Sequence, residues 1–166
     1  MTTTATYSYT RVHTATHLTD VILGTIGDIL ADLRIRIAPL NEQWETYESA
    51  IKAWITEGSL AAVILECQPP TGTAKPVIEF PVAYTATGAG DAEFTASRAR
   101  LARFLAKLDR VPAGTTFRVV CTYNGTATDQ PGWSATTRAS TTGLQSLNFG
   151  TIGSAPHASA DMRYYH

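Results

Sequence analysis

The sequence predicts one α+β domain, in which an antiparallel sheet is backed by three helices. Its 166 residues are 44% hydrophobic and only 16% charged, a size and composition that support one self-sufficient core. Three segments carry apolar residues at spacings of three and four, the period of a half-buried helix. Three others are short apolar runs bounded by turn residues, as strands are. The fold class follows from these two kinds of segment and from the chain length.

The charge and hydropathy of the chain exclude several classes of protein. The formal net charge is −1 and the pI is near 6.4, which removes bulk electrostatics as an argument for binding nucleic acid or an anionic membrane. No segment approaches 18 consecutive apolar residues, and the first ten residues lack the features of a secretory signal. Two cysteines make no disulfide framework. We therefore expect a soluble, cytoplasmic protein.

The N-terminal part of the chain changes its periodicity once. The pattern SYTRVHT, residues 8–14, alternates loosely and is predicted to form a short edge strand. Apolar residues then recur every three or four positions from Leu18, which predicts a helix over about 15–34. Thr14 or Thr16 is the predicted N-cap of this helix.

A second helix is predicted to follow Asn41, a favourable N-cap, and to end at Gly58, a helix-stop residue. Its apolar stripe includes Trp44, Tyr47 and Trp54. Large aromatic side chains on one face of a short helix favour packing against a sheet or another helix. We therefore assign this aromatic stripe to the core.

The predicted strands include a hairpin with a long loop. It is read from LAAVILEC (residues 60–67), the turn sequence QPPTGTAK and PVIEFPVAY (residues 76–84). Because Pro81 cannot donate to a ladder, the second of these strands is predicted to be an edge or to carry a bulge. A third strand, TTFRVVCTY over residues 115–123, alternates cleanly and is predicted to be central.

The third helix is predicted from SRARLARFLAKLD, residues 97–109, and carries most of the basic side chains. The basic residues in and just after it are Arg98, Arg100, Arg103, Lys107 and Arg110. We interpret them as the solvated face of an amphipathic helix. A docking surface for an acidic partner is the first alternative. Nucleic-acid binding is the second, weakened because aromatic residues are not interleaved with the basic ones.

Residues 124–166 differ from the rest of the chain. They are rich in Thr, Ser and Gly and contain only sparse large apolar residues. No helical period persists through them, and a long stretch without regular structure is usually functional or mobile. We therefore divide the single domain into a core, residues 1–123, and a mobile C-terminal segment, residues 124–166.

In their order, these segments resemble HORMA domains, the fold of spindle-checkpoint and meiotic-axis proteins. The resemblance lies in the hairpin LAAVILECQPPTGTAKPVIEFPVAY, the helix after it, the strand TTFRVVCTY and the Pro/Trp sequence DQPGWSATTR. The start YSYTRVHTATH and the ending GTIGSAPHASADMRYY are most similar to the bacterial branch of the family. The resemblance covers nearly the whole chain.

The resemblance implies a peptide-binding switch. In HORMA domains a C-terminal "safety belt" wraps around an extended closure peptide and pins it beside the sheet, and an AAA+ ATPase reopens the domain. Bacterial members accompany anti-phage cyclic-oligonucleotide (CBASS) signalling systems, in which the closed form binds and activates a cyclic-oligonucleotide synthase. The implied partners are therefore a closure peptide, the synthase, the ATPase and a second HORMA protein as a source of the peptide.

The residues themselves support part of this function. An edge strand beside a weakly anchored tail offers unpaired backbone groups for β-augmentation. A tail with few anchors docks in more than one way at a small free-energy difference, as a switch requires. The predicted peptide-binding residues of the edge strand and the belt are Val77, Glu79, Phe80, Val82, Trp133, Leu144, Leu147, Phe149 and Ile152.

Candidate residues for metal or redox chemistry give weak signals. His13, His17 and Asp20 have the spacing of ligands on one side of a helix. However, His13 is predicted to precede the helix, and solvated or capping polar residues are the preferred interpretation. Cys67 and Cys121 lie on predicted strands of one sheet and are interpreted as buried small hydrophobes rather than a redox pair. No metal or cofactor is predicted.

No catalytic motif is found in the sequence. Ser134 lies in GWSAT, which is not the G-x-S-x-G nucleophile pattern, and neither a phosphate-binding loop nor a dinucleotide fingerprint occurs. We therefore predict a non-enzymatic signalling adaptor. The alternative is a structural or assembly protein of a phage or a surface, whose Thr/Gly-rich tail is a docking arm. Size-exclusion chromatography separates the two, because an assembly arm predicts higher-order self-association.

Overall fold

The computed structural model describes residues 2–85 and 94–166, with side chains from residue 10 onward. Four helices and six strands follow one another in this part of the chain. They are α1 (Thr2–Asp32), α2 (Ala38–Glu42), α3 (Trp44–Glu57), β1 (Leu60–Gln68), β2 (Val77–Tyr84), β3 (Thr95–Ala96), α4 (Arg98–Leu105), β4 (Thr116–Tyr123), β5 (Ser146–Ser154) and β6 (Ala158–Tyr165). The predicted α+β class is confirmed. No helix among the described residues is long and apolar enough to cross a membrane.

The six strands form one sheet in the order β3-β5-β6-β2-β1-β4, and every neighbouring pair is antiparallel. β1 and β2 form the predicted hairpin. The main core lies on the helix side of the sheet, where α1, α3 and α4 bury side chains such as Ile22, Trp54 and Phe104 against the strands. A smaller cluster around Ile64 and Val120 lies on the other face of the sheet.

Helix α1 starts before the predicted position. The edge strand expected over residues 8–14 is wrong, because these residues are helical, and the expected N-cap at Thr14 or Thr16 is wrong for the same reason. The buried stripe of the helix already includes Ala15. Burial of this stripe outweighs the weak helix propensity of the threonines, since tertiary packing supplies most helical stability in proteins.

The other two long helices agree with the sequence in most respects. Gly58 ends α3 with a left-handed φ of 80°. The predicted N-cap at Asn41 is wrong: Pro39 favours the short helix α2, which contains Asn41, and Gln43 precedes α3 without a side-chain cap. The third predicted helix corresponds to α4, whose Arg100 N–H donates to the Ser97 hydroxyl at 3.3 Å.

The predicted positions of two strands within the sheet are wrong. β4, expected to be central, is an edge strand, whereas β2 lies between β1 and β6 and shows no bulge in either register. Residues 77–79 and 82–84 of β2 pair with β6, and the gap between them falls at Phe80 and Pro81. The missing N–H of Pro81 therefore interrupts the ladder toward β6 without ending it.

The C-terminal segment also contains regular structure that the sequence analysis missed. Residues 146–165 form the β5–β6 hairpin, which adds to the sheet beside β2. Every second residue of β6 faces the core, and Ala160, Met162 and Tyr164 have no exposed surface. Residues 124–145 contain no helix or strand. This shorter stretch connects the edge strand β4 to the far side of the sheet.

Candidate functional site

The outer side of β4 is an unpaired sheet edge. β4 pairs with β1 on one side, and no strand of the described residues pairs with its other side. A sheet edge of eight residues presents a row of free backbone N–H and C=O groups. Such a row is a template for pairing with a further strand.

The direction of the backbone groups in β4 follows from the ladder beyond β1. Cys67 donates its N–H to Pro76 at 3.0 Å and accepts from the N–H of Lys75 at 2.8 Å, so its backbone faces the β2 side. Backbone directions alternate along a strand, which turns Glu66 toward its partner Arg118 in β4. The free groups of β4 are therefore those of its alternate residues, Phe117, Val119 and Cys121.

Residues 127–139, here called the strap, run past this edge and contact both faces of the sheet domain. On the helix side, the strap is held by α3. The backbone N–H and the hydroxyl of Thr128 donate to the Glu57 carboxylate at 3.1 and 2.8 Å. The indole of Trp54 donates to the carbonyl oxygen of Thr128 at 2.7 Å. These bonds fix the beginning of the strap.

Trp133 is the aromatic anchor of the strap. Its ring lies 5.0 Å from that of Trp54 and 5.8 Å from that of Tyr47, both in edge-to-face geometry. Its indole N–H donates to the carbonyl oxygen of Thr46 at 3.3 Å. Edge-to-face pairs of this kind add to the stabilisation from area burial. Trp133 therefore joins the strap to the helix layer.

On the opposite face, the strap is held by Arg118 and Glu66. Arg118 Nη1 donates to the Thr136 hydroxyl at 3.1 Å, and Nη2 donates to the carbonyl oxygen of Thr137 at 2.9 Å. The Glu66 carboxylate, only 3% exposed, accepts the backbone N–H of Ala139. The strap thus starts on the helix side, passes the edge of β4 and ends on the other face.

A second ion pair holds the end of the strap. Arg138 Nη2 lies 3.2 Å from a carboxylate oxygen of Glu79 in β2. Ala139 packs with the small apolar cluster that contains Ile64 and Val120. Polar and apolar contacts therefore coincide at this end of the strap.

A channel of about 730 Å³ lies between β4 and the strap. Its walls come from the start of α3, from β4 and from the strap, and include Tyr47, Phe117, Arg118, Cys121 and Trp133. Burial raises the pKa of Tyr47 and of the Cys121 thiol, so both groups are neutral at neutral pH. A largely uncharged channel beside a free sheet edge suits main-chain pairing with an extended segment.

The predicted peptide-binding residues of β2 do not lie at a free edge. Val77 and Phe80 have no exposed surface, and Val82 is 7% exposed. Glu79 pairs with Arg138 of the strap. The expected edge at β2 is wrong because β6 occupies that side of the strand.

Among the predicted belt residues, only Trp133 lines the channel. Phe149 packs on Phe104 of α4 at 4.9 Å, and Ile152 is buried in the main core. Leu144 is half-buried and Leu147 is exposed. The structure places three of these four residues in β5 and Leu144 just before it. Their contacts with a peptide stay a prediction.

The channel residues of β4 and α3 were missed as a site, although a signal for Arg118 is present. Arg118 is a charged residue within an apolar strand, and Glu66 is the one charged residue of the apolar run LAAVILEC. Opposite charges on neighbouring strands favour a cross-strand pair. Tyr47 was assigned to the core together with Trp54, but it is half-buried and lines the channel.

The weaker candidates occupy other environments. The prediction that His13 precedes the helix is wrong, since α1 includes it. His17 Nε2 donates to the carbonyl oxygen of Thr95 at 2.7 Å, and its ring contacts Phe94 edge-on. In the part of the chain that the structure describes, no three His, Cys, Asp or Glu side chains are grouped to hold a metal ion.

The two cysteines are free thiols at different positions along the β1–β4 ladder. Cys67 pairs with Phe117 in the β1–β4 register, whereas Cys121 pairs with Val63. They are therefore four ladder positions apart, roughly 13 Å along the strands. Burial raises the pKa of Cys67 to about 12. This geometry favours the interpretation as apolar packing residues over a redox pair.

The fold and the strap together define a class of α+β domains that partly enclose a sheet edge with their own C-terminal segment. The chain belongs to the bacterial HORMA domain family described as "Bacterial HORMA domain 2", whose model matches residues 1–166. The resemblance found in the sequence is thereby confirmed. No curated protein matches the chain.

Solved structures share this fold at low sequence identity. A chain of the crystal structure of the mitotic checkpoint complex superposes with a TM-score of 0.74 at 14% identity, over 92% of this chain and 97% of that one. C. elegans HTP-1 bound to the HIM-3 closure motif gives 0.68 at 13%, over 89% and 87%. The E. coli MS115-1 CdnC:HORMA-deltaN complex gives 0.62 at 16%, over 93% and 88%. These similarities establish the HORMA fold.

Proposed function

We propose that this chain is a non-enzymatic adaptor that captures an extended peptide between β4 and the strap. The observation that carries this proposal is the free edge of β4, which lies beside a channel of about 730 Å³ bounded by the strap. A peptide added to this edge extends the sheet by one strand, so main-chain hydrogen bonds supply much of the affinity. The catalytic motifs that the sequence lacks are not needed for this function.

The backbone groups of Phe117, Val119 and Cys121 pair with the peptide in this proposal. Because side chains alternate across a strand, every second peptide residue faces Tyr47 and Trp133 on the helix side. The residues between them face Arg118 and the other end of the strap. At about 3.3 Å per residue, the length of β4 accommodates a peptide of roughly six to eight residues.

A peptide that is part of a folded partner cannot be threaded between β4 and the strap. The strap must therefore open before such a peptide can bind. Its end on the sheet face is held by Arg118, Glu66 and Glu79, and release of this end clears the edge of β4 while Trp133 still holds the beginning. We therefore assign the switch to residues 124–145. In this view the β5–β6 hairpin stays part of the sheet.

For the downstream steps, we propose those of the bacterial branch of the family. The closed, peptide-bound form binds and activates a cyclic-oligonucleotide synthase in cytoplasmic anti-phage signalling of the CBASS type, and an AAA+ ATPase reopens the domain. A second HORMA protein is a source of the closure peptide. The shared fold with the HORMA chain of the E. coli CdnC complex supports this proposal.

Peptide capture at β4 is tested with N-methylated peptides. Fluorescence polarisation first identifies a binding peptide among segments of the synthase and of companion HORMA proteins. Methylation of single amides in that peptide then abolishes binding only at every second position, because only alternate amides face β4. Uniform tolerance of methylation, or no binding by any partner segment, contradicts the proposal.

A further inference from the structure

A second cavity, of about 240 Å³, lies apart from the peptide channel. It is formed where α1, the end of α3, the end of β2 and the start of β6 meet. The polar side chains that line it include Arg11, Thr14, Tyr84 and His157. No acidic residue of the described chain lines it. Its volume is below the roughly 300–1,000 Å³ of sites for drug-sized ligands, so it suits a single small group.

Thr14 supplies an unused polar atom in this cavity. The residue is 1% exposed, and its hydroxyl has no hydrogen-bond partner. A buried hydroxyl without a partner loses its hydration without compensation. Its presence on the wall of a cavity therefore points to a ligand that accepts or donates a hydrogen bond there.

The charge around Thr14 selects an anion. Arg11 Nη2 donates to the carbonyl oxygen of Thr56 at 3.0 Å, and this bond positions the positively charged guanidinium at the cavity. His157 is 7% exposed, and burial together with the charge of Arg11 lowers its pKa. Tyr84 donates its hydroxyl to the carbonyl oxygen of Leu60 at 2.8 Å and is already satisfied.

We propose that this cavity binds a small oxyanion, a carboxylate or a phosphate group, through Arg11, Thr14 and His157. A bound anion contacts α1 and β6 at once. It therefore joins the N-terminal helix to the C-terminal hairpin and stabilises the folded domain by mass action. This cavity shares no lining residue with the peptide channel.

The proposal is tested by NMR titration of the His157 imidazole. An anion in the cavity favours the charged imidazole, so the pKa of His157 rises when inorganic phosphate or acetate replaces chloride at constant ionic strength. A response to phosphate alone assigns a phosphate site, and a response to acetate assigns a carboxylate site. The Glu57 carboxylate influences the pKa of Tyr84, which lines the cavity, so the titration is repeated in Glu57→Gln to exclude its contribution.

Two matched valine variants separate ligand binding from packing. Thr14→Val and Thr19→Val each remove a buried hydroxyl without a partner from α1, but only Thr14 lines the cavity. Both substitutions are expected to raise the Tm in chloride. Thr14→Val is expected to weaken anion binding roughly tenfold, and Arg11→Gln at least as much, whereas Thr19→Val leaves it unchanged.

Two results overturn the proposal. One is a His157 pKa and a Tm that are the same in phosphate, acetate and chloride. The other is anion binding of equal strength in Thr14→Val and Thr19→Val. Neither result affects peptide capture at β4, because the two sites share no residue.

Discussion

Arg118 donates two hydrogen bonds, from Nε at 2.8 Å and from Nη2 at 2.6 Å, to one carboxylate oxygen of Glu66. The other oxygen of Glu66 accepts the backbone N–H of Ala139. One carboxylate therefore connects β1, β4 and the strap. Since Arg118 also donates to Thr136 and Thr137, this pair contacts the strap at three residues on the sheet face.

Removal of the Glu66 carboxylate is expected to release the end of the strap. Glu66→Ala removes the carboxylate partner of Arg118 and leaves the Ala139 N–H without its acceptor. Arg118 keeps about half of its surface exposed, so the cost in unfolding free energy is about 1–3 kcal/mol, below that of a fully buried pair. Urea denaturation measures this cost, and limited proteolysis measures the release of the strap.

The exposed carboxylate Glu42 provides the control for this variant. Glu42→Ala is expected to change the unfolding free energy by less than about 0.5 kcal/mol, with no effect on strap cleavage. If Glu66→Ala and Glu42→Ala behave alike in both measurements, the Glu66–Arg118 pair does not hold the strap.

Trp133→Ala is expected to loosen the strap at its other end. The substitution removes the ring contacts with Tyr47 and Trp54. Trp133 is only half-buried, so the expected loss of unfolding free energy is about 1–3 kcal/mol, less than for a fully buried tryptophan. Trp44→Ala, which truncates a half-buried tryptophan of α3 outside the channel, is the control. Only Trp133→Ala should accelerate cleavage within residues 127–139, and equal cleavage in both variants would argue against the anchor role.

Gly132 gives a test of the path that the strap takes. Its φ is +84°, and an added Cβ would lie 2.6 Å from Thr46 Cγ2 of α3. Gly143 has a φ of +83° but no atom near an added Cβ. Gly143→Ala therefore bears only the backbone cost of about 1 kcal/mol, whereas Gly132→Ala also pushes the strap away from α3. Equal stability and equal strap protection in the two variants would contradict this path.

The Glu57 contact predicts that the beginning of the strap is sensitive to acid. Hydrogen bonds from Ser59 and Thr128 hold the pKa of Glu57 below its ordinary value of 4.5. A lowered pKa means that the contact stabilises the fold above the ordinary value and is lost as the pH falls through the lowered one. The amide proton of Thr128 should therefore titrate by NMR with a midpoint below 4.5. A midpoint at or above 4.5 is the contrary result, and Glu57→Gln should abolish the transition.

The sequence predicts the elements that have strong local patterns. The stripe from Leu18 onward and the hairpin around the loop 69–76 carry their own period and turn signals, and both are confirmed. The strand β6 also alternates, but half of its inward residues are alanines, Ala158 and Ala160. Small side chains give a weak hydropathy signal. For this reason the sequence predicts a mobile tail where the β5–β6 hairpin lies.

Strand order is not a local property of the sequence. The predictions that β2 is an edge strand and β4 a central one failed for this reason, and the predicted site failed with them. Val77 pairs with Tyr165, nearly ninety positions away, and nothing in the sequence of either strand specifies that pairing. Because β6 pairs with β2, the free edge is at β4 and not at β2. The candidate site therefore lies at β4. Trp133 is the one predicted residue that stays in the channel, because it lies on the strap in either arrangement.

Amide hydrogen exchange along β4, with and without a bound closure peptide, tests the peptide-capture account most directly. In the free protein, the amides of Arg118 and Val120 should exchange slowly, since they face β1, while those of Phe117, Val119 and Cys121 should exchange faster. Peptide binding should slow all three outward amides and leave the inward ones unchanged. Outward amides that exchange at the same rate with and without a tightly bound peptide would place the peptide elsewhere and refute capture at this edge.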